Sequence, residues 1–161
     1  MRVGLIADTH GLLRPEALEA LRGSELVLHA GDVGDPAVLD ALRALAPLQA
    51  IRGNIDEPEA IRRRRGEKKP AADWAAALPA TLDLTLEGFR IHVLHDRNSY
   101  VGGAHDVVVA GHSHAPLVEE RGGALHVNPG SAGPRRFSLP SCVGWLELDA
   151  GEVPRAGIVH L

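Results

Sequence analysis

Cysteine and aromatic residues are scarce in this sequence of 161 residues. Cys142 is the only cysteine, so no disulfide bond can form within the chain. Since this composition is typical of a reducing compartment, we expect a cytoplasmic protein in which Cys142 is a small buried residue of a late strand. Aromatic residues make up 3% of the chain, so the core must consist mainly of Leu, Val, Ile and Ala.

Long apolar runs and an excess of positive charge are missing as well. No apolar run reaches the ~20 residues of a membrane-spanning helix, and the sequence begins without a signal-peptide pattern. The formal net charge of −4 gives no indication of nucleic-acid binding. With a hydrophobic share of 45%, we expect one globular domain over residues 1–161 that binds no membrane. The oligomeric state is open, with a homodimer as one alternative.

The first fifty residues alternate between strand and helix patterns. Apolar runs predict strands over residues 2–7, 25–30 and 48–52. Pro15 begins a helix pattern over residues 15–22, and Asp35 is the expected N-cap of a second helix. Strands that alternate with helices through short connections favour a parallel sheet with right-handed crossovers.

The second half of the chain is rich in short strand patterns. They lie over residues 81–87, 90–94, 106–110, 117–120, 124–127, 143–148 and 156–159. Gly88-Phe89 is expected to join the first two as a hairpin, the apolar run 106–110 is expected to be central, and most pairing is expected to be antiparallel. Before them, residues 57–80 form a partly irregular excursion. Its four arginines, from Arg62 to Arg65, predict either a solvated surface or a site that recruits a polyanionic substrate.

Seven candidate metal ligands follow these strands, most of them directly after an apolar run: Asp8, His10, Asp32, Asn54, His95, His112 and His114. Because side chains at strand ends converge on one rim of a sheet, we expect them to lie close together. The alternative is a set of scattered polar turn residues. It is unfavourable because imidazoles and carboxylates at strand ends are costly without partners.

The types and spacing of these residues limit the number and kind of metal ions that could bind. Asp8 and His10 are two residues apart, as are His112 and His114, so each pair would project to one side of a strand about 6.5–7 Å apart. Such a pair could hold one metal or straddle two. Two-metal hydrolytic sites hold their ions about 3.5–4 Å apart and need a bridging carboxylate, for which Asp32 is the natural candidate. Mixed imidazole and carboxylate ligands suit manganese, iron, zinc or nickel, and the residual positive charge favours a phosphate-containing substrate.

The order of these motifs resembles that of the calcineurin-like metallophosphoesterases, and in particular their small bacterial and archaeal phosphodiesterase subfamily, which is related to the retromer scaffold subunit. The motifs are Asp8-Thr9-His10, Gly31-Asp32-Val33, Gly53-Asn54-Ile55-Asp56, His95, Gly111-His112-Ser113-His114 and Asn128-Pro129-Gly130-Ser131. The resemblance implies an α/β fold, a four-layer αββα sandwich of two mixed β-sheets flanked by helices. It also implies a metal-dependent phosphodiesterase that hydrolyses a small phosphate ester.

The resemblance further implies a ligand set and a mechanism. One metal would be held by Asp8, His10, Asp32 and His114, and the second by Asp32, Asn54, His95 and His112. A hydroxide that bridges the ions would attack phosphorus in line. We expect two divalent transition-metal ions, with manganese favoured over nickel, iron or zinc. The expected catalytic residues are Asp32, Asn54 and Asp56, of which Asp56 either orients Asn54 or donates a proton.

The sequence departs from the family pattern at two positions. Many members have a histidine where this chain has Ile55, and that histidine is thought to protonate the leaving group. Since Ile55 has no proton to give, we expect a preference for esters with good leaving groups over phosphomonoesters. Asp96 replaces the glycine that commonly follows the ligand His95, and it either orients His95 or only changes the loop.

Other polar residues have a structural and a functional interpretation. His29 is expected to be a structural histidine, with support of a metal ligand as the alternative. Arg135 and Arg136 either contact substrate phosphate or form a solvated surface pair. Three more histidines are interpreted as loop or strand positions without a chemical role: His92, His105 and His126.

Two other functions compete with the phosphodiesterase. One is a non-catalytic protein-interaction scaffold that keeps the metal-site fold, and an exposed apolar patch would support it. The other is a helical metallohydrolase built around a His-Asp pair, such as His95-Asp96 or His105-Asp106. The short, β-rich segments punctuated by glycine argue against this second alternative.

Overall fold

The computed structural model describes residues 1–57, 73–136 and 138–161. The four arginines from Arg62 to Arg65 lie outside the described residues, so both of their interpretations stay predictions. The described elements are β1 (Arg2–Ile6), α1 (Pro15–Ala20), β2 (Leu26–His29), α2 (Pro36–Leu45), β3 (Leu48–Ala50), α3 (Asp73–Ala76), β4 (Thr81–Leu86), β5 (Phe89–Leu94), a 3-10 helix (Arg97–Ser99), β6 (Val107–Val109), β7 (Leu117–Arg121), β8 (Ala124–Asn128), β9 (Cys142–Glu147) and β10 (Arg155–His160).

The first sheet has the strand order β10-β9-β1-β2-β3. β2 pairs in parallel with both β1 and β3, and α1 and α2 form the crossovers, which confirms the predicted strand–helix alternation. Asp35 caps α2 as expected, because its carboxylate accepts a hydrogen bond of 2.9 Å from the N–H of Ala37. β9 and β10 extend the sheet in antiparallel pairing.

The second sheet has the strand order β4-β5-β6-β8-β7. Its outer pairs, β4 with β5 and β7 with β8, are antiparallel as expected. The centre differs, because β6 pairs in parallel with both β5 and β8. The physical reason is that Val107–Val109 is buried throughout, which is the environment in which parallel strands occur.

The hairpin between β4 and β5 has a different turn from the expected one. Phe89 already pairs with Leu86, so the turn consists of Glu87 and Gly88. Both residues have positive φ, 50° and 87°, which is the requirement of a tight two-residue hairpin turn. The strand therefore resumes at Phe89, one residue earlier than the pattern indicated.

The main core lies between the two sheets. It is built from aliphatic side chains of both, such as Leu5 and Leu28 from the first sheet and Ile91 and Val109 from the second. A second cluster packs the helices onto the outer face of the first sheet, where Leu42 of α2 is fully buried. Within the described residues, no helix is long and apolar enough to cross a membrane.

The outer face of the second sheet is covered by fewer residues than the outer face of the first sheet, where the helices pack. Tyr100, just after the 3-10 helix, packs against Leu94, Val108, Ala110 and Ala124. The chain thus forms the expected αββα sandwich, with one outer layer reduced to a short helical turn in the part that the structure describes. This fold excludes the helical metallohydrolase, because His95-Asp96 and His105-Asp106 lie in loops of a β-sandwich.

Candidate metal centre

All seven candidate ligands lie in loops at the carboxyl ends of strands. Asp8 and His10 follow β1, Asp32 follows β2, Asn54 follows β3, His95 follows β5, and His112 and His114 follow β6. Because β1, β2 and β3 are parallel, as are β5 and β6, the loops meet at one end of the two sheets. The structure brings the seven side chains into one continuous set of contacts.

Four of the ligands form one half of the centre. Nε2 of His10 lies 3.3 Å from Nε2 of His114 and 3.6 Å from Oδ2 of Asp32. Nε2 of His114 lies 3.4 Å from Oδ1 of Asp8. The ligand atoms of Asp8, His10 and His114 are all within 4.8 Å of one another, which is close enough for one cation to contact each of them.

The other half is formed around His95. Its Nε2 lies 3.3 Å from Oδ1 of Asp32 and 3.1 Å from Oδ1 of Asn54. The same Asn54 oxygen lies 3.2 Å from Nδ1 of His112. Asp32 therefore directs one carboxylate oxygen into each half of the centre, as a bridging ligand would.

Unusual backbone geometry marks this centre. Positive φ angles between 48° and 67° occur at five of the seven candidate ligands: Asp8, His10, Asp32, His112 and His114. A left-handed conformation costs about 1–2 kcal/mol for a residue with a Cβ, and such strain gathers at functional sites. Sequence analysis missed this feature. The glycines beside several of these residues were the available signal, since they mark sharp changes of chain direction.

Two glycines allow the loops to approach the ligands closely. A Cβ at Gly53 would lie 2.2 Å from Oδ1 of Asp32, and one at Gly31 would lie 2.6 Å from Nδ1 of His95. Both distances are far below van der Waals contact. Any side chain at these positions would therefore displace a candidate ligand.

Asp56 holds two of the ligand loops together. Its buried carboxylate accepts hydrogen bonds from the N–H groups of Val33 and Gly53, both at 2.9 Å, and of Gly34 at 2.8 Å. Burial raises the pKa of Asp56, while these three N–H groups act in the opposite direction. Both carboxylate oxygens are engaged by the backbone, so the geometry favours the orienting role over proton donation.

The segment Asn128-Pro129-Gly130-Ser131 forms hydrogen bonds with two of the loops that carry candidate ligands. The side-chain amide of Asn128 donates to the carbonyl of Gly111 at 2.7 Å, and the hydroxyl of Ser131 donates to the carbonyl of Asp8 at 2.9 Å. These bonds fix two of the loops that carry left-handed ligands.

The backbone, rather than Asp96, orients His95. Nδ1 of His95 lies 2.8 Å from the carbonyl of Ala30 and donates to it, so Nε2 points towards Asp32 and Asn54. The carboxylate of Asp96 instead accepts from the N–H of Asn98 and caps the 3-10 helix. Of the two interpretations of Asp96, the structure favours the change of loop.

His29 is fully buried below the centre. Its Nε2 lies 3.0 Å from the hydroxyl of Thr9, and that hydroxyl donates to the carbonyl of Val33 at 3.0 Å, so His29 is the donor of the first bond. Burial lowers the pKa of His29 to about 3, which keeps the ring neutral. This is the expected structural histidine, and it also supports the loop that carries Asp8 and His10.

The electrostatics of the ligands fit the binding of cations. Burial raises the pKa of Asp8 to about 7, and Oδ1 of Asp8 has no hydrogen-bond partner among the described residues. At Asp32 burial raises the pKa, but the hydrogen bond and charge of His95 outweigh it and hold the pKa below its usual range. A buried carboxylate oxygen without a donor, next to imidazole nitrogens, is a position that a transition-metal ion would satisfy.

A cavity of about 400 Å³ opens beside the second half of the centre. Asn54, His95 and His112 lie on its wall, together with Arg52 and Leu94. The mixture of a cationic and an apolar side chain suits an organic group attached to a phosphate.

The two arginines that follow Ser131 are separated in the structure. Burial raises the pKa of Asp8 and lowers that of His114; the positive charge of Arg136 opposes the first shift and adds to the second, so Arg136 lies near both residues. Arg135 instead lines a different depression, together with Arg14 and Leu161. Of the two arginines, Arg136 is therefore the one that lies near the candidate ligands.

Comparison with known proteins gives one consistent family. Residues 1–151 match the model of the calcineurin-like phosphoesterase superfamily domain. A probable metallophosphoesterase from Methanothermobacter thermautotrophicus is 33% identical, over 99% of this chain and 92% of its own. The phosphodiesterase YfcE from Escherichia coli is 28% identical, over 92% of this chain and 89% of its own.

A solved structure shares the fold as well. The zinc complex of Vps29 from Entamoeba histolytica has a TM-score of 0.71 and 21% identity, with 99% of each chain covered. This likeness shows the fold, while the family match and the curated relatives show the kind of chemistry. The chain belongs to the calcineurin-like phosphoesterase superfamily and is a metal-dependent phosphoesterase, an enzyme that hydrolyses phosphoric esters.

Proposed function

We propose that the protein is a phosphodiesterase that acts on a small phosphate ester at a two-metal site. The observation that carries this proposal is the position of Asp32, whose Oδ2 lies 3.6 Å from His10 and whose Oδ1 lies 3.3 Å from His95. When bound, two divalent ions would polarise the phosphoryl oxygens and lower the pKa of water enough to supply hydroxide near neutral pH. The named phosphodiesterase among the relatives supports the choice of substrate class.

The residues divide into two ligand sets that share Asp32. Asp8, His10, Asp32 and His114 would hold one ion, and Asp32, Asn54, His95 and His112 the other. The imidazole-rich set suits a transition metal, with manganese as the proposed ion and nickel, iron or zinc as alternatives. The zinc complex of the Vps29 neighbour supports binding of an ion of this type by the fold.

The leaving group determines which esters should react fast. Ile55 donates its backbone N–H to Oδ1 of Asp32 at 3.0 Å, but its side chain has no proton for a departing oxygen. Asp56 is held by three backbone N–H groups and is not free to take over. Esters with good leaving groups, such as aryl phosphodiesters, therefore need the least help from this site.

The cavity and Arg136 would position the substrate. The organic group of the ester would lie in the cavity that Arg52 and Leu94 line, next to Asn54 and His95. Arg136 approaches from the side of Asp8 and His114, where its guanidinium could pair with a phosphoryl oxygen. Asp32 and Asn54 would hold the reacting centre between these two groups.

The test combines metal analysis with a panel of esters. Metal-loaded wild-type protein should contain two tightly bound ions and hydrolyse bis(p-nitrophenyl) phosphate faster than p-nitrophenyl phosphate. Asp32→Ala should lose the paired ions and the turnover, because both halves of the centre lose their shared carboxylate. His160→Ala serves as the matched control, since His160 is an exposed histidine of β10. Full activity of Asp32→Ala would overturn the proposal.

A non-catalytic scaffold is the competing function, supported by the fold of the Vps29 neighbours alone. The convergence of all seven candidate ligands argues for an enzyme. The large exposed apolar residues of the described chain do not indicate a docking patch, because they are four single positions: Leu12, Val101, Val118 and Val153. Metal-loaded protein that is inert towards every ester would favour the scaffold. A cytoplasmic location and a homodimer stay predictions.

A further inference from the structure

A second group of metal-ligating side chains lies outside the centre described above. Asp83 of β4 stands directly opposite His92 of β5 in the hairpin register, and His105 lies just before β6. These residues come from three separate parts of the chain. None of them is among the seven candidate ligands, and sequence analysis assigned the two histidines no chemical role.

The three side chains converge on one carboxylate oxygen. Nδ1 of His92 lies 2.7 Å from Oδ1 of Asp83, and Nε2 of His105 lies 3.1 Å from the same oxygen. The three ligand atoms are all within 4.8 Å of one another. Two imidazole nitrogens and a carboxylate at this spacing form a set of three ligands that zinc accepts, with water in the fourth position.

The rings are held in place by further contacts. The hydroxyl of Tyr100 lies 3.1 Å from Nδ1 of His105, so the other nitrogen of the ring faces Asp83. A Cβ at Gly103 would lie 2.7 Å from the His105 ring, which shows how closely the loop encloses the imidazole. His92 packs beside both rings, with centroids 4.8 Å from His105 and 5.7 Å from Tyr100. A ligand histidine fixed through its other nitrogen is the usual arrangement of a metal site.

Exposure and charge also fit a site that ions can reach. The side chains of His92 and His105 are 16% and 21% exposed, and that of Asp83 is 69% exposed. The hydrogen bond from His92 holds the pKa of Asp83 below its usual range, so the carboxylate is ionised near neutral pH. Ordered imidazoles beside an accessible carboxylate combine a fixed geometry with an open entry path.

We propose that Asp83, His92 and His105 form a second site for a zinc-like divalent ion on the outer face of the second sheet, next to the cavity that His92 also lines. A bound ion would tie the hairpin of β4 and β5 to the loop that leads into β6. That loop carries Tyr100, the residue that covers this face in the described part of the chain. The ion would therefore stabilise the thin outer layer of the sandwich.

The first experiment counts zinc ions by elemental analysis after gel filtration of the full chain. Asp83→Asn, which keeps the shape of the side chain, and His105→Ala should each bind one equivalent less zinc than wild type. The control His160→Ala should match wild type. Equal zinc content in all four proteins would overturn the proposal, as would an equal loss in the control.

A second experiment separates this site from the proposed catalytic centre. In an Asp32→Ala background, zinc should still raise the melting temperature, and adding Asp83→Asn should reduce that rise. Asp83→Asn alone should keep the hydrolysis of bis(p-nitrophenyl) phosphate. If Asp32→Ala retains all its metal but Asp83→Asn loses one equivalent, the two-metal proposal fails and this one stands. An equal rise in melting temperature in Asp32→Ala and in the double variant would refute the second site.

Discussion

Asp56 offers the sharpest test of how the centre is held together. Its carboxylate accepts three backbone N–H groups, from Val33, Gly34 and Gly53, and so joins the loop of Asp32 to the loop of Asn54. In Asp56→Asn the amide oxygen can still accept from Val33 and Gly53, which share Oδ2. The amide nitrogen would then face the N–H of Gly34, a donor against a donor.

The cost of this change can be estimated from the three bonds. A hydrogen bond to a charged group contributes about 1.5–3 kcal/mol, and a buried donor left unpaired costs about 1–3 kcal/mol. Removal of a buried charge offsets part of this loss, because burial raises the pKa of Asp56 and thus opposes its ionisation. We expect Asp56→Asn to lower the free energy of unfolding by about 2 kcal/mol. Since the loops of Asp32 and Asn54 would shift, metal affinity should fall about 10–100-fold.

The assays are urea unfolding in EDTA and calorimetric titration with manganese. Asp35→Asn is the matched control, because Asp35 accepts a single N–H at an exposed helix N-cap, where Asn is equally good. The reasoning is refuted if Asp56→Asn unfolds like wild type and binds metal equally well. If such a variant lost activity only towards esters with poor leaving groups, Asp56 would be a proton donor.

Three further predictions concern single residues. Burial lowers the pKa of His29 from 6.5 to about 3, so its contribution to stability is complete above pH 6.5 and is lost as the pH falls towards 3. Between pH 7 and 4.5, wild type should therefore lose about 2.5 kcal/mol more than His29→Gln in urea unfolding. Gly53→Ala should weaken metal binding at least about tenfold in calorimetry, because its Cβ would lie 2.2 Å from Oδ1 of Asp32. Arg136→Ala should raise KM for an aryl phosphodiester about fivefold, by the loss of about 1 kcal/mol of phosphate binding, and Arg135→Ala should leave KM unchanged.

The placement of the site could be predicted from the sequence because it depends on local patterns. Apolar runs located the strands, and the polar residues directly after them had to lie at one end of parallel strands. Asp8 and Asp32 were located in this way, whereas the parallel pairing of β5 with β6 that brings His95 to the same end was found only in the structure. Side-chain chemistry then limited the ion, since imidazole with carboxylate favours transition metals.

The supporting structure could not be predicted because it depends on contacts that are distant in sequence. Asp56 reaches Val33 and Gly34 across more than twenty positions, and Ser131 reaches Asp8 across 123. The proposed zinc site depends on the register that sets Asp83 opposite His92, which in turn depends on a turn at Glu87 and Gly88. The sequence pattern had predicted that turn one residue later, at Gly88 and Phe89.

The strained backbone of the ligands predicts that glycine and alanine substitutions will rank in opposite order of stability at two positions. His10 has a φ of 48°, and the left-handed penalty applies to alanine but not to glycine, so His10→Gly should be more stable than His10→Ala by about 0.5–1 kcal/mol. His95 is not among the residues with positive φ, so glycine there only adds entropy to the unfolded chain, and His95→Gly should be less stable than His95→Ala by a similar amount. Urea unfolding of the four variants in EDTA measures both differences. If the glycine variant were less stable than the alanine variant at both positions, the loop after β1 would relax once the imidazole is removed. The side chain of His10 would then itself maintain the strained backbone.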